Sequence, residues 1–205
     1  MKTKNILFFL IVVVALVIVF YSSGDRNPSA YVDQINKERS EKNSFMLSSQ
    51  ESPFSGGKIK FTGLNYFPPD ARYKVIADLI PIESKKIVVL KTSDGKEDRY
   101  VDYAYAEFDL DGKRNKLLIL EVATMGPSRG KLFLAFGDET SARETYGAGR
   151  YLDVEKVPGS KTITLDFNKA YNPYCAYNNS YTCPLPPMEN ILTIPIKAGE
   201  KNYGH

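Results

Sequence analysis

The sequence has 205 residues, 43% hydrophobic, 25% charged and 12% aromatic, a composition that folds around a core and excludes global disorder. Lysine and arginine total 27 against 24 acidic residues, a net +3; setting Lys2 and Lys4 aside leaves +1 for residues 22–205, too little for a nucleic-acid footprint. The one histidine is His205 at the C-terminus, which disfavours Ser-His-Asp triads, Cys-His dyads and multi-histidine zinc sites.

Residues Ile6 to Tyr21 form an unbroken apolar run behind Lys2 and Lys4. Its 16 residues span about 24 Å as a helix, and Ser22 to Gly24 with the snorkelling lysines extend it toward the roughly 30 Å of a hydrocarbon core. The run is β-branched to its end and lacks a clear small-x-small cleavage site, so a retained anchor over residues 1–22 is favoured over a cleaved leader. With the positive flank inside, the rest of the chain lies outside the cytoplasm, in the periplasm or at the cell surface. No cysteine follows the run directly, which removes a lipid anchor.

Asn27-Pro28 reads as an N-cap followed by proline at the first helical position. Tyr31, Val32 and Ile35 then form a narrow apolar stripe before Glu38-Arg39-Ser40-Glu41-Lys42 turns polar, so a short helix is expected within a helical and loop linker over 23–57.

From residue 58 to 205 the pattern is that of one mostly β domain. Period-2 or compact β-branched runs fall near 58–63, 72–80, 86–91, 99–108, 115–122, 131–136, 150–155, 162–167 and 191–197, about nine strands. Asp94-Gly95 and Asp111-Gly112 between such runs signal tight hairpins and antiparallel neighbours. An antiparallel sandwich or partly closed barrel is expected.

Residues 138 to 190 differ in composition from the rest. They carry Asp138-Glu139-Thr140, the string Thr145 to Tyr151 (TYGAGRY), Leu165 to Tyr177 (LDFNKAYNPYCAY) and Cys183 to Asn190 (CPLPPMEN). In these strings, in their order and in the closing Ala198-Gly199-Glu200, the chain resembles the bacterial family known as domain of unknown function 1684, in a short membrane-anchored version. The resemblance reaches more weakly back through Phe61 to Pro68, and Asn168-Lys169 stands where some members carry Asn-Arg. It implies a shared fold and a shared polar surface, with no activity attached.

Strand parity adds particulars. Leu152 and Val154 place Arg150 on the inward row, where its charge needs a carboxylate, with Asp138, Glu144 and Glu189 as candidates. Ile163, Leu165 and Phe167 point inward, so Asp166 and Asn168 share the opposite row. Arg150 is then either a structural clamp or the anion anchor of a pocket at the barrel mouth. Tyr146, Tyr151, Tyr171, Tyr174, Tyr177 and Tyr181, interleaved with Asn168 and Asn172, suit a sugar-like or other polar ligand, and equally a coil that must satisfy its own backbone. The candidate ligand surface is therefore Asp138, Tyr146, Arg150, Asp166, Asn168, Tyr171, Asn172 and Glu189.

Gly147-Ala148-Gly149 runs into a strand rather than opening a helix, so it reads as a bend and not as a dinucleotide fingerprint. Gly126 to Lys131 imitates a phosphate loop but is one residue short and lacks the following hydroxyl. Cys175 and Cys183, separated by seven residues in a loop outside the cytoplasm, favour a disulfide worth about 2.5 kcal/mol on a chain-entropy account, with packed thiols, a redox pair or a two-thiolate metal site as alternatives. No cofactor is implied.

Three functional classes follow. The first is a membrane-anchored domain binding a small polar or anionic ligand, or an envelope protein partner, through the 138–190 surface. The second is a hydrolase using Asp138, Asp166 and Glu189 as acid and base, and the third is a structural envelope component.

Overall fold

A computed structural model describes residues 28–57, 59–155 and 157–204. The apolar run at 6–21 lies outside the described residues; among those described, no helix is long and apolar enough to cross a membrane. Helix α1 spans Pro28–Ser48. Seven strands follow: β1 Lys74–Pro81, β2 Ile87–Lys91, β3 Glu97–Leu110, β4 Lys113–Val122, β5 Leu132–Phe136, β6 Arg150–Val154 and β7 Thr162–Asp166.

All pairings in the sheet are antiparallel, in the order β6-β5-β4-β3-β1-β7, with β2 pairing beside β1 on the same edge of the long β3. The sheet curls until its outermost strands β6 and β7 approach each other, and a Tyr151–Tyr171 bridge ties β6 to the segment after β7. The result is a half-barrel, the partly closed member of the two expected architectures. Asp111 and Gly112 both adopt positive φ in the β3–β4 hairpin, closed by the Leu110–Lys113 pair, as a two-residue type I′ turn demands.

The concave side holds the main core, with Phe108 of β3, Leu117 and Ile119 of β4, Phe136 of β5, Leu152 of β6 and Leu165 of β7. Two of the nine expected strands are absent. The 59–63 stretch is irregular, with Ile59 and Phe61 packed on a satellite cluster around Met46, Phe54, Tyr177 and Tyr203. The 191–197 stretch keeps its period of two, burying Leu192, Ile194, Ile196 and Ala198 and exposing Ile191, Thr193 and Lys197, but it covers the open side of the half-barrel as a single extended segment without a ladder. Its polar backbone needs partners there. Arg150 supplies them by donating to the carbonyls of Ile196 (2.9 Å), Ala198 and Glu200 (3.2 Å), while Asp138 Oδ1 accepts from Ile196 N–H (3.1 Å). The backbone of 137–139 serves residues 190–194 in the same way, through Gly137 and Glu139, and the ion pair takes over beyond it.

The helix is longer than its apolar stripe predicts, because α1 docks largely through polar atoms. Tyr31, Ile35, Arg39, Lys42 and Met46 recur every three or four residues on the face turned to the barrel. Ile35 and Met46 are buried. Between them, Tyr31 Oη donates to Asp166 Oδ1 (2.8 Å), Arg39 to the carbonyls of Phe67 (2.8 Å) and Asn168 (3.2 Å), and Lys42 to Glu200 (3.2 Å). The convex row holding Asp166 and Asn168 is therefore buried, under the helix.

Candidate functional site

A cleft of about 370 Å³ opens between α1 and residues 168–174. Its helix wall carries Ile35, Glu38, Arg39, Lys42, Phe45 and Met46, and its far wall Tyr66, Asp153 and Asn168 to Tyr171 with Tyr174. The surface is mainly apolar and aromatic, with a few polar groups converging on it, the usual composition of a small-molecule site.

Most charges at this cleft are already matched. Lys169 bridges to Glu38 at 2.9 Å, and Tyr171 Oη donates to Asp153 at 2.9 Å. Lys42 Nζ lies 3.2 Å from Glu200 and over the Tyr171 ring at 4.4 Å; burial pulls its pKa down, against the pull of Glu200. Glu200 is fully buried and also accepts from the Asn172 side chain (2.9 Å) and from Tyr177 Oη.

Arg39 is different. Its guanidinium lies over the Tyr66 ring at 4.5 Å and donates only to two neutral carbonyls. Among the described residues no carboxylate forms an ion pair with it; Asp166 acts only at longer range, and burial lowers its pKa. Its buried Nε has no acceptor, and the neighbouring Tyr66 hydroxyl, whose pKa burial raises, has no partner either. Two neighbouring donors, one from each wall, are therefore unmatched, a cost that folding carries without return unless an acceptor arrives.

Of the eight sequence-derived candidates, Asn168 and Tyr171 line this cleft and Asn172 supports it through Glu200. Asp166 sits just behind, accepting from Tyr31 and from the Asn168 backbone (3.1 Å) and side chain (3.2 Å), with its Oδ2 unpartnered. The others are elsewhere. Arg150 is inward as parity requires, 1% exposed, and paired with Asp138 at 2.9 Å. Of the other carboxylates considered for it, Glu144 instead pairs with Lys197, and Glu189 is exposed and accepts from Tyr105 Oη at 3.0 Å. Arg150 borders neither this cleft nor the shallower one beside Pro68 and Arg72. Its four contacts are all to protein, which makes it a clamp on the C-terminal segment.

Glycines shape this clamp. Gly149, at φ +88°, lets the chain enter β6 where a Cβ would stand 2.5 Å from Pro186 Cγ and 2.7 Å from the Phe136 carbonyl. Gly199, at φ +75°, passes equally close to the carbonyls of Phe167 and Ala170 just before Glu200. The Gly147-Ala148-Gly149 string is thus the bend it was expected to be.

Tyr146 lies apart from the cleft, at the two cysteines. Its hydroxyl donates to Cys175 Sγ at 3.7 Å, and the Cys175 N–H reaches Cys183 Sγ at 3.3 Å. Both cysteines are buried free thiols. No group of three or more metal-binding side chains occurs among the described residues.

Sequence reading missed Arg39, Lys42, Tyr66 and Glu200. The available signal was the continued spacing of Ile35, Arg39, Lys42 and Met46, a docking face hidden because two of its members are charged.

Fold and site together define an antiparallel half-barrel carrying a ligand-sized cleft beneath an N-terminal helix. The chain belongs to the family described as protein of unknown function (DUF1684), whose model matches residues 59–201. It is similar to an uncharacterized protein of Haloarcula marismortui, known from a solution NMR structure: the two are 36% identical, with a TM-score of 0.65, over 86% of this chain and 97% of that one. No curated protein matches. The cleft draws its far wall from within the family match and its helix wall from before it.

Proposed function

We propose that the protein is a binding domain, tethered outside the cytoplasm by residues 6–21, whose cleft takes a small molecule with a flat apolar body and an acceptor oxygen. The observation that carries this reading is Arg39: a half-buried cation on an aromatic wall, without a carboxylate partner, beside a second unpartnered donor on Tyr66. Both atoms are closed to solvent, so a carboxylate or carbonyl oxygen would reach them as the Tyr66 ring gives way, and Tyr171, Tyr174 and Phe45 offer area for a ring. Glu200 and Asp166 lie behind the wall and offset its cations, so the site selects for an acceptor more than for net charge.

The test is an amide NMR titration with benzoate and, as its uncharged counterpart, benzamide. Both should shift resonances in 35–46 and 168–174, and Arg39→Met should weaken the response at least about tenfold, the loss of one charge-assisted hydrogen bond. Shifts scattered over the surface, or unchanged by Arg39→Met, would sink the reading. Nothing observed favours a hydrolase: Asp138, Asp166 and Glu189 occupy three separate environments and none lines the cleft.

A further inference from the structure

We propose that Cys175 and Cys183 form a reversible redox pair in which Cys175 is the attacking thiolate and Cys183 the resolving thiol. The geometry is asymmetric. A hydroxyl meets Cys175 Sγ, that of Tyr146 at 3.7 Å, and the Ser93 hydroxyl stands beside the pair, accepting the Cys183 N–H at 3.2 Å. Cys183 Sγ is met by the backbone instead, by the Cys175 N–H at 3.3 Å with help from that of Tyr174.

Hydrogen bonding from Cys183, helped by Tyr146 and Ser93, outweighs burial and pulls the Cys175 thiol down to about 6, while its donor role and burial push Cys183 well up. The titratable side chains facing the pair from surrounding elements are phenols: Tyr100 of β3, Tyr151 of β6, and Tyr146, Tyr171, Tyr174 and Tyr181 from loops. Burial raises the pKa of Tyr100, Tyr146, Tyr151, Tyr171 and Tyr174, so these phenols stay protonated near neutrality. The thiolate is therefore held by hydrogen bonds and not by a cation.

The oxidant is a low-molecular-weight disulfide. The Cys175 thiolate attacks one of its sulfurs, forming a mixed disulfide and expelling one thiolate. Cys183 then loses its proton to solvent and attacks Cys175 Sγ, forming the internal disulfide and expelling the second thiolate. Two electrons pass from the protein dithiol to the small disulfide, which leaves as two thiols.

Oxidised glutathione serves as the probe. In wild-type protein the pH profile of Cys175 alkylation by iodoacetamide should have its midpoint near 6, against about 8.5 for an ordinary thiol, and Tyr146→Phe should move that midpoint upward. Cys183→Ser should trap a glutathione adduct on Cys175, while Cys175→Ser should form little or none on Cys183. An alkylation midpoint at or above 8.5, or faster adduct formation on Cys183, overturns the assignment of roles. A wild-type disulfide that millimolar reduced glutathione fails to open overturns reversibility and leaves a structural crosslink. The wild-type profile and reduction assay stand even if a cysteine variant fails to fold.

Discussion

Two arginines in this protein meet burial in opposite ways. Arg150, 1% exposed, is held by Asp138 and three carbonyls of the C-terminal segment, and it lines neither of the two clefts. Arg39 is half-buried on the wall of the cleft, with two carbonyls, no carboxylate and an idle Nε. Arg150 Nε is idle too, but it is enclosed by core. A buried charge matched by protein marks a structural joint, whereas one left without its counter-ion beside an opening marks a place for a ligand.

The sharpest way to break the contrast is Arg150→Ala. It strands Asp138 and leaves the carbonyls of 196, 198 and 200 without donors, so unfolding free energy should fall by about 3–5 kcal/mol in a denaturant titration. A loss under about 1 kcal/mol would mean that the C-terminal segment does not depend on the clamp.

Glu200→Gln should cost less, about 2 kcal/mol, because the amide keeps the shape but turns donors toward Asn172, Tyr177 or Lys42. Chemical denaturation again reads it, and the variant should also perturb the Lys42 side of the cleft.

Arg39→Met should be milder still, at most about 2 kcal/mol, since the methionine keeps the apolar stem packing while two carbonyl contacts are lost. Its main consequence should be in binding. If its stability loss matched that of Arg150→Ala, the two arginines would share one structural role.

The thiols act through pH and not through a lost contact. The pKa of Cys175 is lowered on folding, so its contribution is present above the unfolded thiol value near 8.5 and is lost as pH falls through about 6. Stability of the reduced protein should therefore rise from pH 6 toward 8.5. Cys183, shifted the other way, should reverse the trend at higher pH. Denaturation midpoints across this range, compared with Cys175→Ser, check the sign; an unchanged slope in the variant contradicts it.

How far the sequence revealed this arrangement depended on which atoms carried the contacts. Seven strands and the Asp111-Gly112 turn follow from period and turn chemistry, and parity sends Arg150 inward, leaving Asp138, Glu144 and Glu189 as partners, of which Asp138 is the one it meets. The 191–197 stretch shows where parity stops: alternation reports one face buried and one exposed, and a lone segment lying over an open core alternates like a strand while lacking a ladder. Helix α1 shows the complementary failure. A docking face made of Tyr31, Arg39 and Lys42 has no hydrophobic period, so the cleft it forms with the Tyr171 region was invisible. Asp166 and Asn168 were correctly put on one row, but what covered that row lay in the helix.

The most direct measurement is the pair of arginine Nε–Hε resonances, assigned through Arg39→Met and observed while benzoate is added. Arg39 Hε, gaining an acceptor, should move downfield in a saturable way, and Arg150 Hε, enclosed in the core, should stay fixed. A saturable shift of Arg150 with Arg39 unmoved would contradict the account and return the ligand to the barrel interior.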